Sequence, residues 1–493
     1  MTGITPSERY LTKLCRRSFL RLWSWPNVYR DQKSGRSVIG KEVCDLLVVF
    51  DNHVFIFSDK YCEFPNTGDV RQDWARWFKK AILKSAIQVC GAERWLRKYP
   101  GRLFLDKTCK HPFPVSLPPI EQAVFHRMVV AHGSAQRCRD YFGSGSGSLI
   151  INPSLAGRDH YDFSTPLFSP FNIGRVTEAK SFIHVIDDFS LDVLLGTLDT
   201  APDLARYLDL RGHFIESRKL QFATGEEDLL AYYLRHVDNA GCHHFYLPND
   251  ATTIAVGEGS WRSFSNHPQY KAKLEADGIS YAWDKIIDKF TEHLLEGTQY
   301  QIPEYRLLDS SVKVQERGLR ILAKEGRVRR RMIAKAILGV IRNGNENPRA
   351  VRVVPGDPYY IFLSLQAPSS RTYEEYRKGR ARLLEAYCLC TRLEFPNARL
   401  VVGIATEPEN SASGRSEDMC VLDGGMWNEE LAKEAARVKS EYEIFTSLRK
   451  SHYHESEYPL TRPQLSGKGR DRNKLCPCGS GRKYKKCHGS QSS

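Results

Sequence analysis

Residues 40–60 read GKEVCDLLVVFDNHVFIFSDK, and this stretch decides the fold of the N-terminal region. The apolar runs Leu46–Phe50 and Val54–Phe57 have the length of strands, and the Asp-Asn pair between them favours a turn. The pattern therefore predicts a β-hairpin. Apolar residues at helical spacing precede it, and a helix is predicted over about residues 73–98, so the segment reads as helix, hairpin, helix.

The hairpin carries residues that can perform chemistry. Asp45 opens the first strand and Lys60 ends the second, and side-chain alternation places positions 58 and 60 on the face that Asp45 shares. Position 58 is a serine, whereas Asp59 points to the opposite face of a regular strand. Carboxylates that hold Mg²⁺ beside a lysine are what metal-dependent cleavage of a phosphodiester requires.

This hairpin resembles the PD-(D/E)xK nuclease superfamily, in which an Asp opens one strand, and an acidic residue and a Lys two positions apart end the next. The resemblance implies a restriction-endonuclease-like α/β domain over residues 1–119 and a Mg²⁺ cofactor. Many members carry a Glu on the first helix, and several carry a Gln on the helix after the hairpin. The residues to which the resemblance gives catalytic roles are Asp45, Lys60, Asp59, Glu8 and Gln88.

Ser58 departs from the family pattern, and several explanations are open. A bulge turns Asp59 inward, Glu8 or Glu42 replaces the missing carboxylate, or the domain is a degenerate binder. A plainer interpretation takes the charges at the hairpin end as an ordinary solvated pair.

The C-terminal stretch at residues 476–489, CPCGSGRKYKKCHG, predicts a structural zinc knuckle. Zn²⁺ prefers four tetrahedral thiolate and imidazole ligands, and so short a segment folds only with such a metal. The ligands are Cys476, Cys478, Cys487 and His488. The spacing resembles the SEC-C motif, the zinc-binding tail of a preprotein translocase ATPase. The chain has no Walker A loop, so the resemblance implies a portable docking module for a protein or nucleic-acid partner and not a translocase.

The formal net charge of +14 is concentrated in three segments, residues 1–118, 317–352 and 461–493. Clustered Lys and Arg favour a polyanionic partner, so nucleic-acid binding is predicted, although ordinary solvated faces also explain such segments. The predicted phosphate-contacting residues are Arg327, Arg329, Arg330, Arg331, Lys335, Arg482, Lys483, Lys485 and Lys486.

The chain as a whole reads as an α/β multidomain protein. With 493 residues, 41% hydrophobic and 26% charged, it has ordinary globular composition and the length of about three domains. The predicted units after the nuclease-like domain are an α-rich middle domain at 120–316, a basic amphipathic helix segment at 317–352, an α/β domain at 353–458, a linker at 459–473 and the SEC-C motif at 474–490.

Composition also bears on the compartment. The longest apolar runs fall far short of a membrane span, the N-terminus has no secretory signal, and 13 mostly scattered cysteines do not form a disulfide framework. We therefore expect a cytoplasmic, bacterial protein with reduced thiols and no membrane insertion.

The leading hypothesis is a nucleic-acid-binding protein that acts as a Mg²⁺-dependent nuclease, by analogy in defence against foreign DNA. The alternative is a non-catalytic adaptor that docks on a protein or ribosome through its zinc tail.

Overall fold

The computed structural model describes residues 3–34, 37–177, 181–298, 312–411, 416–451, 455–459, 472–474 and 483–486. The strands are β1 Ser24–Ser34, β2 Ser37–Phe50, β3 His53–Tyr61, β4 Leu103–Phe104, β5 Val124–His132, β6 Ile150–Ala156, β7 Asn172–Arg175, β8 Ile183–Asp187, β9 Leu220–Ala223, β10 Ile254–Val256, β11 Arg349–Val354, β12 Tyr359–Leu365, β13 Leu400–Thr406 and β14 Glu417–Asp423.

The helices alternate with these strands through much of the chain. They are α1 Pro6–Trp23, α2 Val70–Phe78, α3 Lys84–Lys98, α4 Ala135–Phe142, α5 Asp188–Thr197, α6 Ala201–Glu216, α7 Glu226–Arg235, α8 Ser260–Asn266, α9 Pro268–Asp277, α10 Tyr281–Glu296, α11 Val312–Ala323, α12 Arg327–Asn343, α13 Tyr373–Glu394 and α14 Glu429–Glu441. A π-helical turn at Lys79–Leu83 joins α2 to α3, so the predicted helix over residues 73–98 is present but begins three residues earlier.

The largest sheet in the described chain has six strands in the order β4-β1-β2-β3-β5-β8. The predicted hairpin is confirmed: β2 and β3 are antiparallel, with Leu46 opposite Phe57. Both β5 and β8 run parallel to β3, so their carboxyl ends lie at one edge of the sheet. The sheet therefore continues past residue 119, where the sequence suggested a domain boundary, because β5 and β8 follow that point in the chain.

Helices cover both faces of this sheet. Helix α1 begins with a capping box, in which Thr5 accepts from the backbone N–H of Glu8 and the Glu8 side chain accepts from that of Thr5. Buried residues of α1 such as Leu11 and Phe19 join the core beneath it. Helix α3 packs on β3 and β5. The strands are thus buried on both faces, which fits their long apolar runs.

The middle of the chain contains a second sheet and several helices. Its four strands have the order β10-β9-β6-β7, so the region at 120–316 is mixed and not only α-rich. The region also contains strand β8, which belongs to the large sheet, and helix α7, which begins at Glu226.

The basic stretch at 317–342 forms two helices and not one. Helix α11 ends at Ala323 and α12 begins at Arg327, with Gly326 as the residue before it. Glycine disfavours a continuous helix, and here it also serves as the N-cap residue.

The C-terminal region has the predicted α/β pattern. Strands β12 and β13 are parallel and are joined through α13, while β11 and β14 pair antiparallel at the two edges. Thr372 caps α13 with a second capping box. A mixed α/β architecture is thereby confirmed for the described chain.

A short segment at residues 455–459 lies against α12 and the loop after α7. Glu455 forms an ion pair with Lys335, the Ser456 carbonyl accepts from Arg331 at 2.9 Å, and Glu457 is 2.9 Å from His243. These contacts fasten the chain just before the C-terminal tail. Among the helices that the structure describes, none is both long and apolar enough to cross a membrane.

Candidate functional site

Asp45 and Lys60 lie on one face of the sheet, near the end of the hairpin. Because Leu46 pairs with Phe57, Asp45 and Ser58 occupy the next cross-strand position and their side chains share a face. Lys60 follows two positions later on the same face and is exposed. Asp45, Ser58 and Lys60 therefore lie on the same face of the sheet, toward the carboxyl end of β3.

Asp59 lies on the opposite face, which excludes the explanation by a bulge. The pairing of β3 with β5 runs without a register shift from His53 to Tyr61. The Asp59 carboxylate is buried and lies 2.6 Å from Nε2 of His132, whose Nδ1 is 2.6 Å from Asp188. The prediction that the Asp59 side chain belongs to the catalytic face is thus wrong. Its backbone N–H, however, donates to Oδ2 of Asp45 at 2.6 Å.

Two glutamates from different elements approach Asp45. The side-chain amide of Asn27 on β1 donates to Oε1 of Glu42 at 2.7 Å and to Oε2 of Glu8 at 3.3 Å. The Glu8 carboxylate also accepts from the backbone N–H of Ile4 at 2.8 Å. Glu8 thus serves both the helix cap and this cluster.

The cluster concentrates negative charge in a partly dry place. Burial raises the pKa of Asp45 to about 7, and the nearby charges of Glu42 and Glu8 add to the increase. Burial also raises the pKa of Glu42, which the Asn27 amide partly offsets. A cation, either a proton or a metal ion, reduces the electrostatic repulsion between such carboxylates.

The carboxylates surround this place without converging tightly. In the described part of the chain, the three-residue groups with ligand atoms within 4.8 Å of one another do not include Glu8, Glu42 and Asp45. These residues supply oxygen ligands of the kind that Mg²⁺ prefers, and that ion usually keeps several waters between itself and a protein. The residue types are therefore ones that Mg²⁺ prefers, but their carboxylates do not converge on one position in this structure.

Gln88 lies where the sequence placed it, on α3 facing the same side of the hairpin. Oγ of Ser58 donates to its Oε1 at 3.3 Å, and Ser58 itself is buried. The sequence did not single out Asn27, which lies in a strand that polar residues and Pro26 conceal. Regular alternation would place Glu42, three residues before Asp45, on the other face, but the pairing of β1 with β2 shifts register between Val28 and Tyr29.

Most of the predicted phosphate-contacting residues of α12 are buried in ion pairs. Arg327 pairs with Asp199 at 2.9 Å, Arg330 with Asp284 at 2.7 Å and Arg331 with Asp277 at 2.5 Å. The relative exposures of these three guanidinium side chains are 5%, 1% and 0%. Their assignment to a nucleic-acid surface is therefore wrong.

The remaining two basic residues of that set also have partners within the chain. Arg329 donates to the carbonyl of Pro355 at 2.7 Å, and Lys335 pairs with Glu455. Trp74 and Trp77 on α2 are buried core residues whose indole N–H groups donate to the His160 and Cys62 carbonyls. These residues of α12 and α2 therefore make contacts within the fold.

Only part of the tail lies within the described residues. Lys483 and Lys486 are exposed and Lys485 is half-buried in a short 3-10 turn. The other predicted tail residues, namely Cys476, Cys478, Arg482, Cys487 and His488, lie outside the described residues.

The comparison with known protein families identifies the tail. A family model described as "SEC-C motif" matches residues 472–490. SEC-C motifs typically bind zinc, and the four predicted ligands lie within the matched range. The chain thus carries a SEC-C motif.

A curated relative matches over the same end of the molecule. The "Protein translocase subunit SecA" of Chlorobium phaeovibrioides (strain DSM 265 / 1930) is 57% identical over 37 residues, which is 8% of this chain. The match spans only 4% of the length of that relative, so the likeness extends to a tail and not to a translocase. No solved structure matches this chain.

Proposed function

We propose that the protein binds nucleic acid and cleaves it as a Mg²⁺-dependent phosphodiesterase, with a zinc-binding tail as a docking module. One observation carries the proposal. The Asn27 amide joins Glu8 to Glu42 beside Asp45, and Lys60 is exposed on the strand face that Asp45 shares. Carboxylates and a lysine on one strand face are the groups that phosphodiester hydrolysis needs.

Each group has a role that its surroundings support. Glu8, Glu42 and Asp45 hold the divalent ion, which supplies a polarised phosphate and an activated water when bound. The ammonium of Lys60 stabilises charge that develops on the phosphate oxygens. The raised pKa of Asp45 favours a carboxyl that releases its proton when the cation arrives, because the cation replaces the proton as the neutralising charge.

Two glutamates supply the acidic group that the family pattern expects where this chain has Ser58. Glu42 lies on the same strand as Asp45, and Glu8 reaches the cluster from α1. They supply anionic ligands that a serine at position 58 does not, so the explanation by replacement is preferred to that by degeneration. Ser58 hydrogen-bonds Gln88 and orders it beside the cluster.

The lysines nearest this face favour a polyanionic substrate. Lys80 and Lys84 are exposed at the start of the α3 region, on the helix whose Gln88 contacts Ser58. With Lys60 they form a basic surface that phosphates recognise in any sequence context. The proposed substrate class is therefore the nucleic-acid backbone, and base identity is not read here.

The decisive experiment is a cleavage assay on single- and double-stranded DNA and RNA with Mg²⁺ or Mn²⁺. Asp45→Ala and Lys60→Ala should each abolish cleavage while the fold and nucleic-acid binding persist, and Glu42→Gln should raise the metal concentration needed. Glu63→Gln, at an exposed acid just after β3, is the matched control and should cleave normally.

Ser58→Glu sharpens the test. A carboxylate at that position completes the family pattern, so cleavage should persist at lower metal concentration. Cleavage that survives Asp45→Ala would remove this site from consideration. No cleavage by the wild type or by Ser58→Glu would leave the adaptor hypothesis as the better one.

The tail is tested separately by its metal. Elemental analysis should find zinc that is lost on joint Cys476→Ser and Cys478→Ser substitution, since these residues lie in the SEC-C match. Zinc that is unchanged in that variant would contradict the proposed ligand set.

A further inference from the structure

Two histidines and an aspartate meet at the amino end of β3, far from the carboxylate cluster. His53 begins β3, His126 lies on β5 opposite Phe55, and Asp209 lies on α6. Their ligand atoms all lie within 4.8 Å of one another. Nδ1 of His53 is 2.9 Å from Nε2 of His126, and Nδ1 of His126 is 3.9 Å from Oδ1 of Asp209.

The two imidazoles direct ring nitrogens toward each other, His126 from a buried position and His53 from a half-buried one. Ring nitrogens are the atoms through which histidine ligates a metal.

Asp209 faces these rings from α6. Among the described residues, its ion-pair contact is His126, with Nδ1 of the ring 3.9 Å from Oδ1 of the carboxylate. The neighbouring acid Asp51 is neutralised by Lys324 at 2.9 Å and Arg320 at 3.6 Å. A carboxylate opposite two lone-pair donors is a place for a cation.

A cavity of about 480 Å³ opens beside the three residues. His53 and Asp209 line it, and its other charged lining residues are Asp51, Arg206 and Lys324. Lys324 pairs with Asp51 at 2.9 Å, and Arg206 lies 3.7 Å from Asp238 outside the cavity lining. The Asp209 side chain is 48% exposed, so the group can be approached from solvent, whereas His126 is buried and stacks on Phe55 with ring centroids 4.4 Å apart. One ligand is therefore fixed and one is free to adjust.

We propose that His53, His126 and Asp209 form a second metal site, for Zn²⁺ or a similar divalent transition ion. Two imidazoles and one carboxylate select such ions over Mg²⁺. Three protein ligands leave one tetrahedral position open, and the cavity supplies water to it.

The observed geometry needs only a small adjustment. Two nitrogens bound to one tetrahedral zinc at about 2.0–2.1 Å lie about 3.3 Å apart. The pair must therefore open by about 0.4 Å from its observed 2.9 Å hydrogen bond as the ion displaces the shared proton. Half-buried His53, at the first position of its strand, can make that shift.

The site is independent of the proposed nuclease. His53 and Lys60 are at opposite ends of β3, about 23 Å apart at the usual strand rise. Loss of one site does not entail loss of the other.

The test is metal stoichiometry in the full-length chain, measured by elemental analysis after dialysis against buffered Zn²⁺. Wild type should hold two zinc ions, and the Cys476→Ser, Cys478→Ser variant should hold one. Adding Asp209→Asn or His126→Asn to that variant should remove the remaining ion. Asp209 is half-exposed, so its variant keeps the fold even if His126→Asn does not.

His111→Asn is the matched control, because His111 contacts a carboxylate, that of Asp106, at 3.1 Å without a second imidazole. It should keep both ions. Co²⁺ in the cysteine variant should give d–d absorption without a thiolate charge-transfer band. The proposal is overturned if the cysteine variant holds no metal, or if its metal survives Asp209→Asn.

Discussion

Helices α3 and α12 are both basic and amphipathic in sequence, yet they use their charges in opposite ways. Exposed positions of the α3 region carry Lys80 and Lys84, whereas α12 turns Arg330 and Arg331 into the protein. The difference lies in the surroundings. Asp277 and Asp284, at the end of α9 and in α10, meet the α12 arginines, and the α3 lysines have no such acids opposite them among their described ion pairs.

The comparison teaches that a basic run predicts a surface only when its counter-charges are known. A buried guanidinium without a carboxylate is prohibitively costly, so each buried arginine of α12 requires an acid from elsewhere in the chain. Those acids lie between 43 and 128 residues away in the sequence, from Asp284 with Arg327 to Asp199 with Arg327. Local charge counts therefore do not distinguish the two helices.

The largest effect is expected from removing an acid beneath α12. Asp284→Ala leaves the guanidinium groups of Arg327 and Arg330 without a shared carboxylate and should lower the free energy of unfolding by about 3–5 kcal/mol. Denaturant unfolding of the full chain measures this. Lys84→Ala on α3 is the control and should change it by no more than about 0.5 kcal/mol. Equal effects of the two substitutions would break the comparison.

A second, smaller effect is expected in the pH dependence of the free energy of unfolding. An ion pair that contains histidine loses its charge at a lower pH than one that contains lysine. Hydrogen bonds to Asp188 and Asp59 outweigh burial and raise the pKa of His132 to about 9. The raised folded-state pKa means that the stabilisation is fully present below about pH 6.5 and is lost as pH rises through about 9. The loss should be on the order of 3 kcal/mol.

Unfolding curves between pH 6 and 10 check this prediction. His132→Gln should be less stable at pH 6 and should lack the decline toward pH 10. His111→Asn, at an exposed histidine, should keep the wild-type profile. If the free energy of unfolding of His132→Gln still declined toward pH 10, groups other than His132 would be responsible.

The smallest effect should appear in nucleic-acid binding and leave stability unchanged. Joint Lys80→Ala and Lys84→Ala substitution removes two phosphate contacts and should reduce the slope of log K against log salt by about 2. Electrophoretic retardation or anisotropy at several salt concentrations measures it. Arg342→Ala, at an exposed position at the end of α12, is the control. An equal reduction in that variant would place the polyanion on α12 after all.

The sequence predicted those elements whose signals are local. The hairpin at residues 46–57 and the α/β pattern of the C-terminal region follow from local apolar periodicity. Strand β1 was missed because Pro26 and its run of polar residues hide the alternation, although it pairs along most of β2. The junction of β3 with β5 was missed because parallel pairing joins segments that are distant in the chain.

The candidate site divides in the same way. Strand alternation alone places Asp45 and Lys60 on one face and Asp59 on the other. The contribution of Asn27 could not be predicted, since it depends on how β1 pairs with β2. Likewise, the grouping of His53 with Asp209 depends on α6 crossing the amino end of the sheet.

Because residues 455–459 are held against α12, only the chain after them limits how far the tail can extend from that helix. From Pro459 to the start of the SEC-C match at residue 472 the chain reaches at most about 45 Å, whatever path it takes. A partner bound by the tail, as proposed above, would thereby be confined near α12 at an effective concentration on the order of millimolar. Contacts between that partner and the body of the protein can then be individually weak and still remain engaged.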